Sequence, residues 1–490
     1  MAAESVYERA RLSRDARFDG LFFVGVRTTG IYCRPICPAN PPKSENVSFF
    51  QTAAAASEAG YRPCLRCRPE SAPGTPAWQG TSTTVRRGLR LIANGALDEG
   101  NVEDLAERLG VTSRHLRRLF TKHLGASPLA IAHTQRLHFA KKLIDETDLP
   151  LGDIAIAAGY GSVRRFNDAF KQTYGRPPRE LRRKGRVERP LVESSSLSVR
   201  LTFRKPFSWR SALEFMRGRA IPGVEKVIGD TWVRSVRLDG KPGLVEVSPE
   251  NDSLLLTVHG VATADLFTVV QQVRELFDLD APVGDIRRTL STDPMLKSLL
   301  KKAPGIRVPG AWDGFELTVR AILGQQVSVK AATTLSGRIA QRYGEKLPPQ
   351  LAARFEEGPT HLFPTPKKLA RARFNNIGLV TARIETIRRI ASAAASGELR
   401  FDASQDPDAF CGTLTAIRGI GDWTAQYVAM RALKNPDAFP SSDLGLLRAF
   451  DEEGRPRIKP AELLERAESW RPWRAYAALL LWHATPNSGG

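Results

Sequence analysis

"LTAIRGIGDWTAQYVAMRAL", residues 414–433, sets a helical run on either side of Gly-Ile-Gly. Gly419 and Gly421 let the backbone turn with free amides pointing outward. The second run starts directly after the turn, so its first amides lack intrahelical partners and its dipole favours an anion. This pattern predicts two helices joined by a hairpin that clamps a nucleic-acid phosphate without reading bases. A plain tight turn between ordinary helices is the simpler reading of the same letters. The next stretch of chain shifts the balance: "PDAFPSSDLGLLRAF" places Asp443 twenty residues beyond Trp423. An aspartate at a helix start is an N-cap by default.

The chain carrying this hairpin has 490 residues, room for three or four domains, and its 42% hydrophobic content excludes a disordered protein. Seventy-two Lys and Arg against 52 Asp and Glu give a net charge of +20. That surplus makes a polyanion the leading partner, a generic basic surface being the alternative. No run approaches the ~18 apolar residues of a bilayer span. The opening "MAAESVYERARLSRDARFDG" is charged throughout, with no apolar secretory core. A cytoplasmic protein without a membrane partner is therefore expected, and its five cysteines point to metal or reactivity before disulfides.

Four of those cysteines form two close pairs, Cys33 with Cys37 in "TTGIYCRPICPANPP" and Cys64 with Cys67 in "YRPCLRCRP". The spacing C-x3-C-x26-C-x2-C predicts a tetrahedral four-sulfur zinc site, and spacing alone favours a structural one. Prolines around the first pair stiffen the loop, since proline locks φ and removes a donor. The fifth, Cys411, is expected to be a buried small hydrophobe.

Two further stretches share one design. In "NVEDLAERLGVTSRHLRRLFTKH" (101–123) a helix, a turn at Gly110 and a second helix capped by Thr112 or Ser113 are expected. Leu105, Ala106, Leu109, Val111, Leu116 and Phe120 supply its core face, leaving Ser113, Arg114, Arg117, Arg118 and Lys122 outward. "LPLGDIAIAAGYGSVRRFNDAFKQTYGRPPRELRR" (149–183) repeats the plan, with Ser162, Arg164 and Arg165 on a helix closed by Phe166 and Phe170. Residues 81–185 hold 19 basic against 11 acidic residues, a surplus of +8. A single unit of this kind is most simply a helical hairpin with a solvated basic face. Two in tandem predict DNA binding, each second helix entering a major groove.

The residues quoted carry three resemblances. "FVGVRTTGIYCRPICPANPPKSENVSFF" through "AGYRPCLRCRP" resembles the amino-terminal domain of the Ada adaptive-response regulator. This implies a zinc that keeps all four sulfurs as thiolates, with Cys33 accepting a methyl group from a DNA phosphotriester. The tandem units, above all "FNDAFKQTYGRPPREL", resemble the AraC-type regulatory domain. Residues 197–485 resemble an AlkA-type 3-methyladenine DNA glycosylase of the helix-hairpin-helix superfamily, on "KPFSWRSALEFMRGRAIPGVE", "WDGFELTVRAILGQQVSVKAATTL", the hairpin and "WRPWRAYAALLLWHAT". That likeness implies Asp443 as the catalytic carboxylate and Trp423, Tyr427 and Trp482 as walls of a pocket for a flipped, cationic base. Trp423 stands where related bifunctional enzymes carry a Schiff-base lysine, which implies hydrolysis without strand nicking. The family's wedge leucine is replaced by Gln326 in "GQQVSV", and Asp422 puts an acid in the phosphate-holding hairpin.

The expected fold is multidomain and mainly α. It comprises a small zinc-bound α/β domain (1–75), an all-α tandem helix-turn-helix domain (82–186), an α+β domain (196–288) and an all-α helix-hairpin-helix glycosylase domain (289–490). "PESAPGTPAWQGTSTT" (69–84) and "RRKGRVERPLVESSS" (182–196) are the expected seams. The expected function is an alkylation-damage response protein, a DNA-3-methyladenine glycosylase fused to a methylphosphotriester-sensing activator. Its partners would be double-stranded DNA and RNA polymerase, its state monomeric and its location the bacterial cytoplasm at the nucleoid. The competing readings are an activator whose glycosylase-like half only binds DNA, and an enzyme whose zinc is merely structural.

Overall fold

A computed structural model describes residues 2–72, 83–98, 100–182, 196–402, 404–451 and 456–484. Most of both expected seams lies outside the described residues. The described part of the first seam ends in a single 3-10 turn, Pro69–Ser71, and the next helix begins at Thr83.

The amino-terminal unit is a helix, Ala2–Leu12, beside a four-stranded sheet of β1 (Phe23–Val26), β2 (Ile31–Cys33), β3 (Val47–Phe50) and β4 (Arg62–Pro63). The strand order is β3-β1-β2-β4, with β4 parallel to β2. That parallel pairing brings the two cysteine pairs together, because Cys33 ends β2 and Cys64 comes directly after β4.

The basic region repeats itself at an offset of fifty residues. Thr112 and Ser162 cap the helices Ser113–Leu124 and Val163–Tyr174, and Gly125 and Gly175 end them in the left-handed conformation at φ 70° and 69°. Leu116 and Phe120 are buried in the first unit, as are Phe166 and Phe170 in the second. A long helix, Pro128–Glu146, lies between them. Thr112 rather than Ser113 is thus the first cap. Ser113 is half-buried at the first helical position, whereas Arg114, Arg117, Arg118, Arg164 and Arg165 are exposed as expected.

The next unit is a five-stranded antiparallel sheet, β5 (Ser196–Thr202), β6 (Glu225–Ile228), β7 (Thr231–Leu238), β8 (Lys241–Glu250) and β9 (Ser253–His259), ordered β5-β9-β8-β7-β6. Asp239 and Gly240 join β7 to β8 with both φ values positive, the conformation that matches the right-handed strand twist. One buried cluster joins Leu143, Ile154 and Phe170 of the basic region to Val199, Trp232 and Phe277 of this unit. From 290 on the described chain is helical apart from an isolated bridge between Lys346 and His361. Among the described residues no helix is long and apolar enough to cross a membrane.

Candidate functional site

Asp443 is a helix cap and more. Its carboxylate accepts the Leu446 amide at 3.0 Å, which starts the helix Leu444–Arg448. The same group accepts two indole N–H bonds, from Trp423 at 2.7 Å and from Trp482 at 2.8 Å. All three partners are donors, and an ionised carboxylate meets donors with acceptors alone. The two indoles come from separate helices, Asp422–Arg431 and Arg474–Ala484. Trp423 stacks on Tyr427 with centroids 5.2 Å apart and planes at 7°, while Trp482 meets Tyr427 edge-on at 6.4 Å. The four residues singled out from the sequence therefore form one half-buried aromatic wall around one carboxylate.

The hairpin lies at the start of the helix bearing Trp423. Gly419 has φ 97°, and a Cβ there would overlap the Thr386 hydroxyl. Gly421 is the exposed N-cap, with no side chain covering the first amides of the helix. Two partners missed at the sequence level brace this turn. Thr386 donates to the Arg418 carbonyl at 3.2 Å, and the Gln325 amide reaches the Gly419 carbonyl at 3.1 Å and Thr424 at 3.2 Å. Next to Gln325, Gln326 stands exposed with φ 58°. Cys411 on the first hairpin helix is half-buried, not fully buried as expected, because only part of that short helix faces the core.

At the other end of the chain, the sulfurs of Cys33, Cys37, Cys64 and Cys67 all lie within 4.8 Å of one another. A tetrahedral zinc with ~2.3 Å bonds needs sulfurs roughly 3.8 Å apart, so the cluster suits that ion. Cys64 and Cys67 are buried, whereas Cys33 and Cys37 reach the surface. Arg34 pins the first knuckle. Its amide donates to the Cys67 sulfur at 3.3 Å, and its guanidinium reaches the Cys67 carbonyl at 3.1 Å and the buried Asp19 carboxylate at 2.8 Å. Neither Arg34 nor Asp19 belongs to the cysteine spacing, which is why sequence reasoning passed over them.

Four family models match in sequence order. They are the metal-binding domain of Ada over 7–70, a helix-turn-helix domain over 105–184, the AlkA N-terminal domain over 198–313 and the HhH-GPD superfamily base excision DNA repair protein over 319–475. A probable bifunctional transcriptional activator/DNA repair enzyme AlkA of Mycobacterium tuberculosis (strain H37Rv) is 42% identical over 476 residues, 97% of this chain and 95% of that protein. This chain belongs to that family of bifunctional activator and repair enzymes. The DNA-3-methyladenine glycosylase 2 of Escherichia coli is 34% identical over 291 residues, 58% of this chain and 96% of that protein. A solved 3-methyladenine DNA-glycosylase from Archaeoglobus fulgidus shares the fold of 58% of this chain, with TM-score 0.51 and 23% identity over 97% of its own length.

The four-cysteine centre of this bifunctional chain is accordingly a zinc site, and its helix-turn-helix and glycosylase regions bind DNA. The outward arginines of the helix Ser113–Leu124 make only exposed contacts. Arg117 pairs with Glu103 at 2.9 Å in an exposed contact, and Arg118 meets the His115 ring at 3.1 Å. The Ser162 hydroxyl is committed to the Arg165 amide at 3.2 Å, so it serves as a cap.

Proposed function

We propose that this family member repairs alkylated DNA as a DNA-3-methyladenine glycosylase of the type II kind, an N-glycosyl hydrolase. It also reports the damage as a methyl-accepting activator. The observation carrying the enzymatic half is the pair of indole N–H bonds that fix the Asp443 carboxylate beneath an aromatic wall.

An alkylated purine extruded from the duplex stacks against Trp423, Tyr427 and Trp482, whose electron-rich faces suit a positively charged base. The C–N bond to the sugar breaks and its electron pair leaves with the base. Asp443, fixed in place by its three donors, steadies the cationic sugar and takes a proton from the water that adds to the anomeric carbon. No lysine stands at the position of Trp423, so the product is an abasic site in an unbroken strand. Gly419 and Gly421 present the free amides of the hairpin to a backbone phosphate. Gln326, exposed on its left-handed backbone, takes the wedge position beside the orphaned partner base.

In the regulatory half, Cys33 accepts the methyl group of a DNA methylphosphotriester. Its sulfur attacks the methyl carbon, and the phosphate oxygen keeps the electrons of the broken C–O bond. Zinc, when bound, keeps Cys33, Cys37, Cys64 and Cys67 deprotonated at neutral pH. A methylated Cys33 no longer carries negative charge, so repulsion from the DNA phosphates falls and binding tightens. Arg114, Arg117, Arg118, Arg164 and Arg165, with Ser113 and Ser162 at the helix starts, then face the two major grooves of a promoter. The chain acts as a monomer at the bacterial nucleoid and contacts RNA polymerase there. In this reading the chain divides into its four units at 75–82, 186–196 and 288–289.

The test is base release from methylated duplex by the full chain beside Asp443→Asn, with mass spectrometry of Cys33 after exposure to methylphosphotriester DNA. Release by the wild type alone, and a single methyl on Cys33, are the expected outcomes.

A further inference from the structure

A short connection between the helices Gly314–Leu323 and Val329–Tyr343 carries a strained residue. Gln326 has φ 58°, a conformation that glycine enters freely and a residue with a side chain enters at a cost. Strain of this kind persists only where the neighbouring structure fixes the backbone. On the far side of Gln326, Ser328 caps the next helix by accepting the Ala331 amide at 3.2 Å. On the near side, Gln325 is held at both ends. Its side-chain amide donates to the Gly419 carbonyl and to the Thr424 hydroxyl, while its own carbonyl accepts the Arg383 guanidinium at 2.7 Å. Arg383 is half-buried in the first turn of a third helix, Thr381–Ser396, the same helix from which Thr386 donates to the Arg418 carbonyl. Side-chain bonds thus join the loop of Gln326, the glycine hairpin and the start of this third helix.

A bond from a cation to a carbonyl is stronger than one between neutral groups. We infer that Arg383 is a positioning residue for base extrusion, which holds the Gln325 carbonyl so that Gln326 keeps its left-handed backbone and stays tied to the phosphate-gripping hairpin. This inference rests on the glycosylase reading and on Gln326 as the wedge. A glutamine has more rotamer freedom to lose on insertion than a leucine has. Fixing its backbone beforehand lowers what remains to be ordered when the duplex opens. Extruding a paired base breaks its pairing and leaves an orphaned partner with unmet hydrogen bonds, which the wedge amide answers. A lesion with no base opposite it has no pair to break and no orphan to satisfy, so its extrusion is easier and leaves the wedge little to do. Arg383 should therefore matter for paired lesions and hardly at all for unpaired ones. The bond-breaking step at Asp443 is the same in both.

The experiment is single-turnover excision of one 7-methylguanine by the full chain from two duplexes, one with cytosine opposite the lesion and one with a stable abasic analogue there. The proteins are wild type, Arg383→Met, Arg383→Lys, Gln326→Ala and Asp443→Asn. Arg383→Met keeps the aliphatic stem and removes the donors, and Arg383→Gln, too short to reach the loop, replaces it if the first variant does not fold. Arg383→Met should lose about tenfold on the paired lesion, the effect of one charge-assisted bond, and stay within about threefold of wild type on the other duplex. Arg383→Lys, which keeps the charge and a donor, should recover most of that loss. Equal loss on both duplexes makes Arg383 a prop of the fold alone and overturns the inference, as does full activity on the paired lesion. Gln326→Ala with full activity on the paired lesion brings down the wedge reading beneath it. Wild type that releases no base, or Asp443→Asn that matches wild type, brings down the glycosylase reading.

Discussion

The four-cysteine centre and the Asp443 pocket hold anionic groups at opposite ends of one chain, and they do so by different physics. In the first, four sulfurs gathered from residues 33 to 67 lie close enough to share one ion, and the fold around them is a small sheet with little core of its own. In the second, one carboxylate is held by neutral N–H donors on side chains 20 residues before it and 39 after it, which pack against the largest buried cluster among the described residues. A site held by an ion depends on that ion for its existence. A site held by packing depends on the whole fold, and removing a single donor only weakens it.

The largest expected effect separates the two directly. Stripping the metal with a chelator should abolish methyl uptake at Cys33 and unfold the amino-terminal sheet, since a structural zinc is worth on the order of 10 kcal/mol. Base release by the same sample should persist, as read by parallel mass spectrometry and excision assays. Loss of both activities would mean that the pocket also needs the zinc domain. A smaller effect probes the pocket's own means of support. Trp423→Phe keeps a ring against Tyr427 but removes the N–H that reaches Asp443 at 2.7 Å. Single-turnover excision should fall roughly 10- to 100-fold with methyl uptake unchanged.

Next comes Gly419→Ala, which adds a Cβ against Thr386 at a φ of 97°. We expect a loss of about 1–3 kcal/mol in thermal unfolding of the glycosylase region and weaker binding to undamaged duplex. Unaltered binding would remove the hairpin from the interface. The last effect, confined to acid conditions and absent at neutral pH, concerns the seam of the metal-held half. His138 meets the Tyr32 hydroxyl at 2.9 Å, and burial lowers its pKa to about 4. Between that value and the ordinary ~6.5 the unfolded chain binds the extra proton, so stability must fall as the pH drops through this window, by up to about 3 kcal/mol. His138→Gln should flatten that slope in pH-dependent melting curves.

The same contrast governs what could be read in advance. The cysteine pairs were legible because metal ligands obey short spacings that survive in the letters. The helix-turn-helix repeat was legible because its caps and core positions recur at a fixed offset, from Thr112 and Phe120 to Ser162 and Phe170. Asp443, Trp423, Tyr427 and Trp482 came from resemblance, and the structure supplied the bonds between them. Arg34 with Asp19, Gln325 with Gly419, and Arg431 with Tyr427 and Pro309 left no such trace. All three include partners well apart in the chain, by 15, 94 and 122 residues, and only folding brings those together. Arg431 does lie four residues after Tyr427, a helical spacing, but nothing in that spacing tells a buried arginine from a solvated one.

The most direct test of the two-site account is single-turnover base release from alkylated duplex by Asp443→Asn, with methyl uptake at Cys33 measured in the same tube. The account predicts that release falls by at least about 10²-fold while Cys33 still gains its methyl group. Release at the wild-type rate would contradict it.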